Sequence, residues 1–375
     1  MCIQPQFAEG ESMRTSGRRF GSLRPRQRGF VLVVSALAAV VLIGCLGMAV
    51  DLGRMYLIKS EAQNFVDSTA LRAAATLDGT SNGILRAASF APQTSERFDL
   101  ASRSFTNVRT EFAQTVAGPW YESSSAPSRS RFVRVSTRLQ VPMYFMTLVT
   151  GNRNGTVFAS GTGAQVEKRS FREGIFPFSP FAHSTLGPHY GLVPGQFYTI
   201  RWPAKPKLGG NICAGDNVQS VIDMAEAAGA EERGFIESTS ADLIRQTIIN
   251  DYQSVTRTIG DFVDLTGGAK QTMLDALTSR INQDSDNLSQ TYSQYASGGY
   301  GNGRRLVAVP INDGGMPLGV NHRIVNIALF FLSPTGKYGK GGGQPWCAEY
   351  VGAYVEGSNT KGVENTGAWV VRLVK

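Results

Sequence analysis

Cysteine and histidine are scarce in this 375-residue chain, with four of the first and three of the second. So few thiols cannot make a disulfide scaffold, and so few imidazoles leave little material for a His-rich metal centre. Charge is thin as well, at 18% against 42% hydrophobic residues, a balance unlike that of a coiled coil or a solvated acidic tail. In residues 336–343 (GKYGKGGG) no Ser or Thr follows either Gly-Lys, so a phosphate loop is excluded. No cofactor and no metal are expected.

What the chain does have is an asymmetric N-terminus. Arg14, Arg18, Arg19, Arg24, Arg26 and Arg28 face only Glu9 and Glu11, so this arm carries +4 of the formal net charge of +8. Directly after it, residues 30–50 read FVLVVSALAAVVLIGCLGMAV, without one ionisable group. At 1.5 Å per residue that run makes roughly 31 Å of helix, enough to cross a hydrocarbon core. Arginines crowded on one side hold that side in the cytoplasm. The positive charge is therefore assigned to membrane topology, and no nucleic-acid partner is expected.

The reading is a single-pass span in a bacterial inner membrane, with residues 1–29 as a basic cytoplasmic arm and the bulk of the chain periplasmic. Three kinds of processing compete with retention. Gly47-Met48-Ala49 is a weak signal-peptidase site after an apolar run of full span length. Arg18-Arg19 is a poor twin-arginine signal because Phe20 follows at once. Gly29-Phe30 resembles a prepilin junction, but the fifth residue beyond it is Val34, where prepilins usually carry Glu.

Past the span, Leu52, Met55, Ile58, Ala62, Phe65, Val66, Ala70, Ala73 and Leu77 recur at steps of three and four. That spacing predicts an amphipathic stalk helix over residues 51–78, stopped by Asp78-Gly79. Its apolar stripe packs either on the protein's own soluble region or on another molecule. Ser35 with Ala39 and Cys45 with Ala49 are small-xxx-small pairs that would let helices approach.

The block RQRGF, a span, then VDLGRMYLIKSEAQNFVDSTALRAAATL resembles the N-terminal segment of TadG-like and TadE-like proteins of tight-adherence (Flp) pilus systems. The matching positions are Arg26, Gly29, Asp51, Gly53, Arg54, Gln63, Asn64, Asp67, Ala70 and Leu71, while Arg28 marks the membrane edge of the span. Ser68, Thr69 and Arg72 depart from the small residues usual there. The resemblance covers about the first fifth of the chain. It implies pilus assembly or anchoring, with a lipid bilayer and other pilus-assembly proteins as partners. Some relatives carry a metal-dependent adhesion domain with Asp-x-Ser-x-Ser, but Asp99, Ser102 and Ser104 are wrongly spaced for one. On physical grounds Asp51 and Arg54 share a helical face, can pair, and mark the water boundary. Gln63, Asn64 and Asp67 offer hydrogen bonds to a partner helix or form a solvated face.

The remainder reads as α+β. Residues 131–141 (RFVRVSTRLQV) and 156–166 (TVFASGTGAQV) alternate as strands around a turn at 151–155. A Ser-rich turn over residues 122–127 precedes them. A boundary near Arg172, where prolines become frequent, divides a pilin-like or TadE-like segment, 79–171, from a C-terminal region, 172–375. In the second region QFYTIRW is strand-like. Two helices carry Leu243, Ile244, Ile248 and Ile249, and Met273, Leu274, Leu277 and Ile281. Strands over 305–312, 323–332, 346–355 and 368–374 predict a mainly antiparallel C-terminal sheet.

The topology also sorts the cysteines. Cys2 falls inside the cell and Cys45 in the bilayer, leaving Cys213 and Cys347 together in an oxidising compartment, where a disulfide is expected. Separately buried thiols are the alternative. A thiol hydrolase would use either cysteine with His183, His189 or His322 as base. Asp216 reads as turn chemistry, and Glu231-Glu232 and the cluster from Asp284 to Asn287 as solvated. The functional expectation is a non-enzymatic, membrane-anchored protein of a tight-adherence pilus; a tethered periplasmic binding or envelope protein, or a periplasmic thiol hydrolase, are the other readings.

Overall fold

A computed structural model of the chain describes residues 28–93, 97–99, 101–203, 212–216, 232–236, 240–267, 272–314, 322–339 and 343–374. The basic arm before Arg28, Cys2 within it, and Glu231 lie outside the described residues. The first element is a 48-residue helix, α1, Arg28–Ala75. No proline interrupts it, and its second half carries five Ala and three Leu, both strong helix formers. Along the apolar run its side chains are bare: Phe30, Leu32, Val40 and Leu46 are each at least two-thirds exposed. Beyond Arg54 the pattern changes. Ile58, Ala62, Phe65, Val66, Ala70, Ala73 and Ala74 are at most 2% exposed. The predicted stripe is thus buried on the protein's own soluble region, while Leu52, also in the stripe, stays exposed. Gly79, at φ +79°, turns the chain after α1, and Asp78 accepts from the Thr80 N–H and hydroxyl at the entry to α2, Ser81–Gln93.

The buried half of α1 lies on a sheet. Its strands are β1 (Val108–Ala113), β2 (Phe132–Pro142), β3 (Asn154–Glu167) and, from the end of the chain, β8 (Tyr354–Glu356) and β9 (Ala368–Val374). The order is β8-β9-β3-β2-β1, antiparallel except for β8 with β9. The central pair runs in unbroken register from Phe132↔Ala164 to Pro142↔Asn154. Alternation places Val133, Val135, Leu139 and Val141 on one face, where they join Phe65, Val66, Ala70 and Ala73 of the helix in one core. Burying each such valine or leucine contributes about 1.5–3 kcal/mol.

Two glycines allow the helix to come this close. A Cβ at Gly163 would stand 2.3 Å from the Ala70 carbonyl oxygen, and one at Gly161 2.3 Å from an Asp67 carboxylate oxygen. Two residues apart on a strand means the same face, so TVFASGTGAQV encodes a smooth track for α1.

The second sheet contains β4 (Phe197–Arg201), β5 (Leu306–Asn312), β6 (His322–Leu332) and β7 (Trp346–Gly352), with Phe262–Val263 pairing at the start of β6. All its pairings are antiparallel. Two helices, α4 (Ala241–Asn250) and α5 (Thr272–Asn282), bring Ile244, Ile248, Met273, Leu277 and Ile281 into its core. Both helices fall where the apolar spacing placed them. The fold is α+β as expected, with an antiparallel C-terminal sheet. Two segments go elsewhere, however: Ala368–Val374 joins the first sheet by pairing with β3, and the end of the predicted 346–355 strand, Tyr354–Glu356, pairs there with it.

The acidic cluster expected to be solvated is divided. Asp284 is 4% exposed and accepts from the Tyr295 hydroxyl and from the N–H groups of Asp286, Asn302 and Arg305. A buried carboxylate needs such donors, and the loop after α5 supplies them. Burial of Asp286 pushes its carboxyl up, but bonds from the Ser289 hydroxyl and N–H and the Leu288 N–H outweigh this and hold it below the usual range.

Candidate functional site

The residues that stand out are those where α1 leaves its apolar run. Asp51 is 2% exposed, an unusual state for a carboxylate. Its oxygens accept the N–H groups of Tyr144, Phe145 and Met146 at 3.1, 2.8 and 2.7 Å. These amides open a short helix, α3, Met146–Thr150, inside the loop between β2 and β3. The first amides of a helix lack intrahelical acceptors, and a negative charge is favoured there. Gly151, at φ +73°, ends α3. The loop was expected only as a turn over 151–155; Asp51 supplies the long-range partner that stabilises a helix in it.

The same loop touches α1 one turn earlier. Gly47 is buried, and a Cβ there would stand 2.5 Å from the Cβ of Phe145. Phe145 therefore rests directly on the helix backbone. Gly47 lies between Cys45 and Ala49, one of the pairs read as letting helices approach, and its own surface is covered by Phe145 of the loop.

Three residues past Asp51, Arg54 turns its guanidinium onto Asp99, with Nε to Oδ1 at 3.1 Å and Nη2 to Oδ2 at 2.5 Å, while Nη1 donates to the Pro142 carbonyl at 3.0 Å. The Asp99 N–H donates to Glu61, also on α1. This two-point fork is the geometry arginine alone provides. Gln63 donates to Asp67 on the next turn and to the Ser160 carbonyl of β3 at 3.0 Å, whereas Asn64 is exposed. Gly29 and Gly53 have open space at the Cβ position, so no described neighbour requires glycine at either.

A residue that sequence reading passed over closes the end of α1. Gln165 of β3 is 1% exposed; its amide donates to the carbonyls of Ala74 and Leu77 at 2.9 and 2.8 Å, and its oxygen accepts from the Val363 N–H at 3.0 Å. The last carbonyls of a helix need such donors. Its only signal in the sequence was an amide side chain on the strand face that carries Val157 and Ala159.

Cys213 and Cys347 are joined by a disulfide across a sequence separation of 134. Both thiols that a hydrolase would need are thereby occupied. Asp216 forms the expected turn, donating its N–H to the Cys213 carbonyl and accepting from the Thr199 N–H and hydroxyl. His183 reaches Asp216 at 3.4 Å. Among the described residues no three of His, Cys, Asp and Glu gather as metal ligands would.

α1 is long and apolar enough to cross a membrane. A family model described as "Putative Flp pilus-assembly TadE/G-like" matches residues 29–76. The match coincides with α1 almost end to end. No curated protein and no solved structure matches the chain.

Proposed function

We propose, from a TadE/G-like match confined to α1, that this chain is a non-enzymatic component of a tight-adherence pilus assembly system, held in the inner membrane by residues 30–50. The arginine arm keeps the N-terminus in the cytoplasm and the two sheets stand in the periplasm. Other assembly proteins are its partners, and its work is to anchor or position them. One observation carries the reading: the matched helix is bare over its apolar half and buries one face of its second half. Bare apolar side chains in such number have a lipid solvent. The disulfide supports an oxidising compartment for the bulk of the chain.

The test has two arms. A C-terminal reporter that is active only outside the cytoplasm is expected to be active, and the chain to stay with membranes after carbonate washing. Deletion of the gene in its host is expected to abolish tight-adherence piliation. Normal piliation with intact membrane anchoring would leave a tethered envelope protein; recovery of the untreated chain in the soluble fraction would overturn the anchor itself.

A further inference from the structure

We propose that the loop from Tyr144 to Gly151 is a second membrane-contacting element, lying in the headgroup layer of the bilayer that α1 crosses. The proposal rests on the spanning reading of α1 and extends it. Within five residues the loop exposes Tyr144, Phe145 and Leu148, the last at 87%. Nothing between Met143 and Asn152 is charged. A leucine and two aromatics projecting from a surface loop are disfavoured in water, and aromatic rings of this kind concentrate at membrane interfaces.

Position argues for lipid as the occupant. The loop is fixed to α1 by the three backbone N–H hydrogen bonds to the Asp51 carboxylate and by the seat of Phe145 on Gly47. Gly47 lies four residues before Asp51, about 6 Å along the axis and inside the apolar run. Phe145 is therefore held at a depth where the neighbouring α1 side chains, Leu46 and Val50, are themselves bare. If the run is in hydrocarbon, the loop is at its edge.

The polar groups of the loop do not oppose this. The Thr147 and Thr150 hydroxyls donate to the Met143 and Met146 carbonyls at 2.9 Å, and the opening amides of α3 go to Asp51. Satisfied backbone and hydroxyl groups lower the cost of leaving water. Arg153, exposed at the end of the loop, can reach lipid phosphates.

Lipid-quenching fluorescence on the full chain tests this. With Cys2 and Cys45 changed to Ser and the disulfide kept, single cysteines replacing Leu148, Leu42 or Leu288 are labelled with an environment-sensitive dye. The protein is reconstituted in phosphatidylcholine–phosphatidylglycerol vesicles containing lipids with a nitroxide near the headgroup or deep in the chain. The deep nitroxide is expected to quench the label at Leu42. The shallow one is expected to quench at Leu148 at least about threefold more than at Leu288, an exposed leucine of the soluble region. Quenching at Leu42 with a water-like label at Leu148 would overturn the proposal and leave the span standing. A blue-shifted but unquenched label at Leu148 would mean that a second copy of the chain covers the loop, and would also overturn it. No quenching at Leu42 would remove the span and the proposal together.

Discussion

Arg54 and Asp99, 45 residues apart, meet in a two-point ion pair at 2.5 and 3.1 Å that ties α1 to the segment after α2. Arg54 keeps 20% of its side chain exposed and Asp99 9%, so the pair is partly shielded from solvent. Removing one partner leaves the other charge without its main neighbour. For Arg54→Met a loss of about 1–3 kcal/mol is expected, measured by denaturant unfolding of the detergent-solubilised chain. Arg54→Lys keeps the charge but not the fork, and should recover less than half of that loss.

Gly163 tests the contact between helix and sheet. A methyl group there meets the Ala70 carbonyl at 2.3 Å, and backbone cannot yield as a side chain tip would. Gly163→Ala should destabilise by about 1–3 kcal/mol, the usual range for overpacking. Alanine at Gly151, which has open space but φ +73°, separates backbone strain from crowding and should cost less.

Gln165→Leu keeps the volume but leaves the Ala74 and Leu77 carbonyls and the Val363 N–H without this partner. Each orphaned buried group costs about 1–3 kcal/mol. Hydrogen exchange should show the last turn of α1 opening more readily in the variant, while the amides of α4 and α5 keep their protection.

Reduction of the Cys213–Cys347 bridge releases a loop of 134 residues. The chain-entropy estimate for such a loop is up to about 5 kcal/mol, with engineered and natural cases often lower. Peptide mapping without reductant should recover the linked pair. Cys213→Ser and Cys347→Ser should lower the unfolding midpoint equally, as two halves of one bond do; a nucleophile would instead give a folded protein with one silent cysteine.

Alkaline pH should weaken the fold. Burial pushes Tyr350 up to about 12, against a bond from Thr366 that lowers it, and burial likewise raises Tyr198, Tyr292, Tyr295, Tyr300, Tyr338 and Tyr354. A raised native value means the folded state holds a proton that the unfolded chain releases. The contribution is complete below the unfolded value of 10.0 and is lost as pH rises through the folded one, here toward about 12 for Tyr350. Unfolding at about pH 9 and about pH 11 should show the decline, with Tyr350→Phe reducing its slope. Equal midpoints would mean these rings are not desolvated.

Much of this molecule was legible before any coordinates. A run of uncharged apolar residues between an arginine cluster and Asp51 marks a helix long enough to cross a membrane, and a stripe at steps of three and four marks an amphipathic one. The long helix, the strands β2 and β3, and the helices around Ile248 and Leu277 follow from such local periodicity. Which sheet a strand enters does not. Residues 346–352 and 368–374 both read as strands, yet the first pairs with β4 and β6 and the second with β3 and β8.

The sequence by itself determined the apolar run, the buried face of α1 and the α+β class, because hydrophobic period is a property of neighbours along the chain. Only the tertiary structure decided that Asp51 gathers the amides of Tyr144, Phe145 and Met146, that Arg54 takes Asp99, and that Gln165 closes the helix end. Those partners lie tens of residues away. A buried polar group shows only that it needs a partner, and folding selects which one arrives.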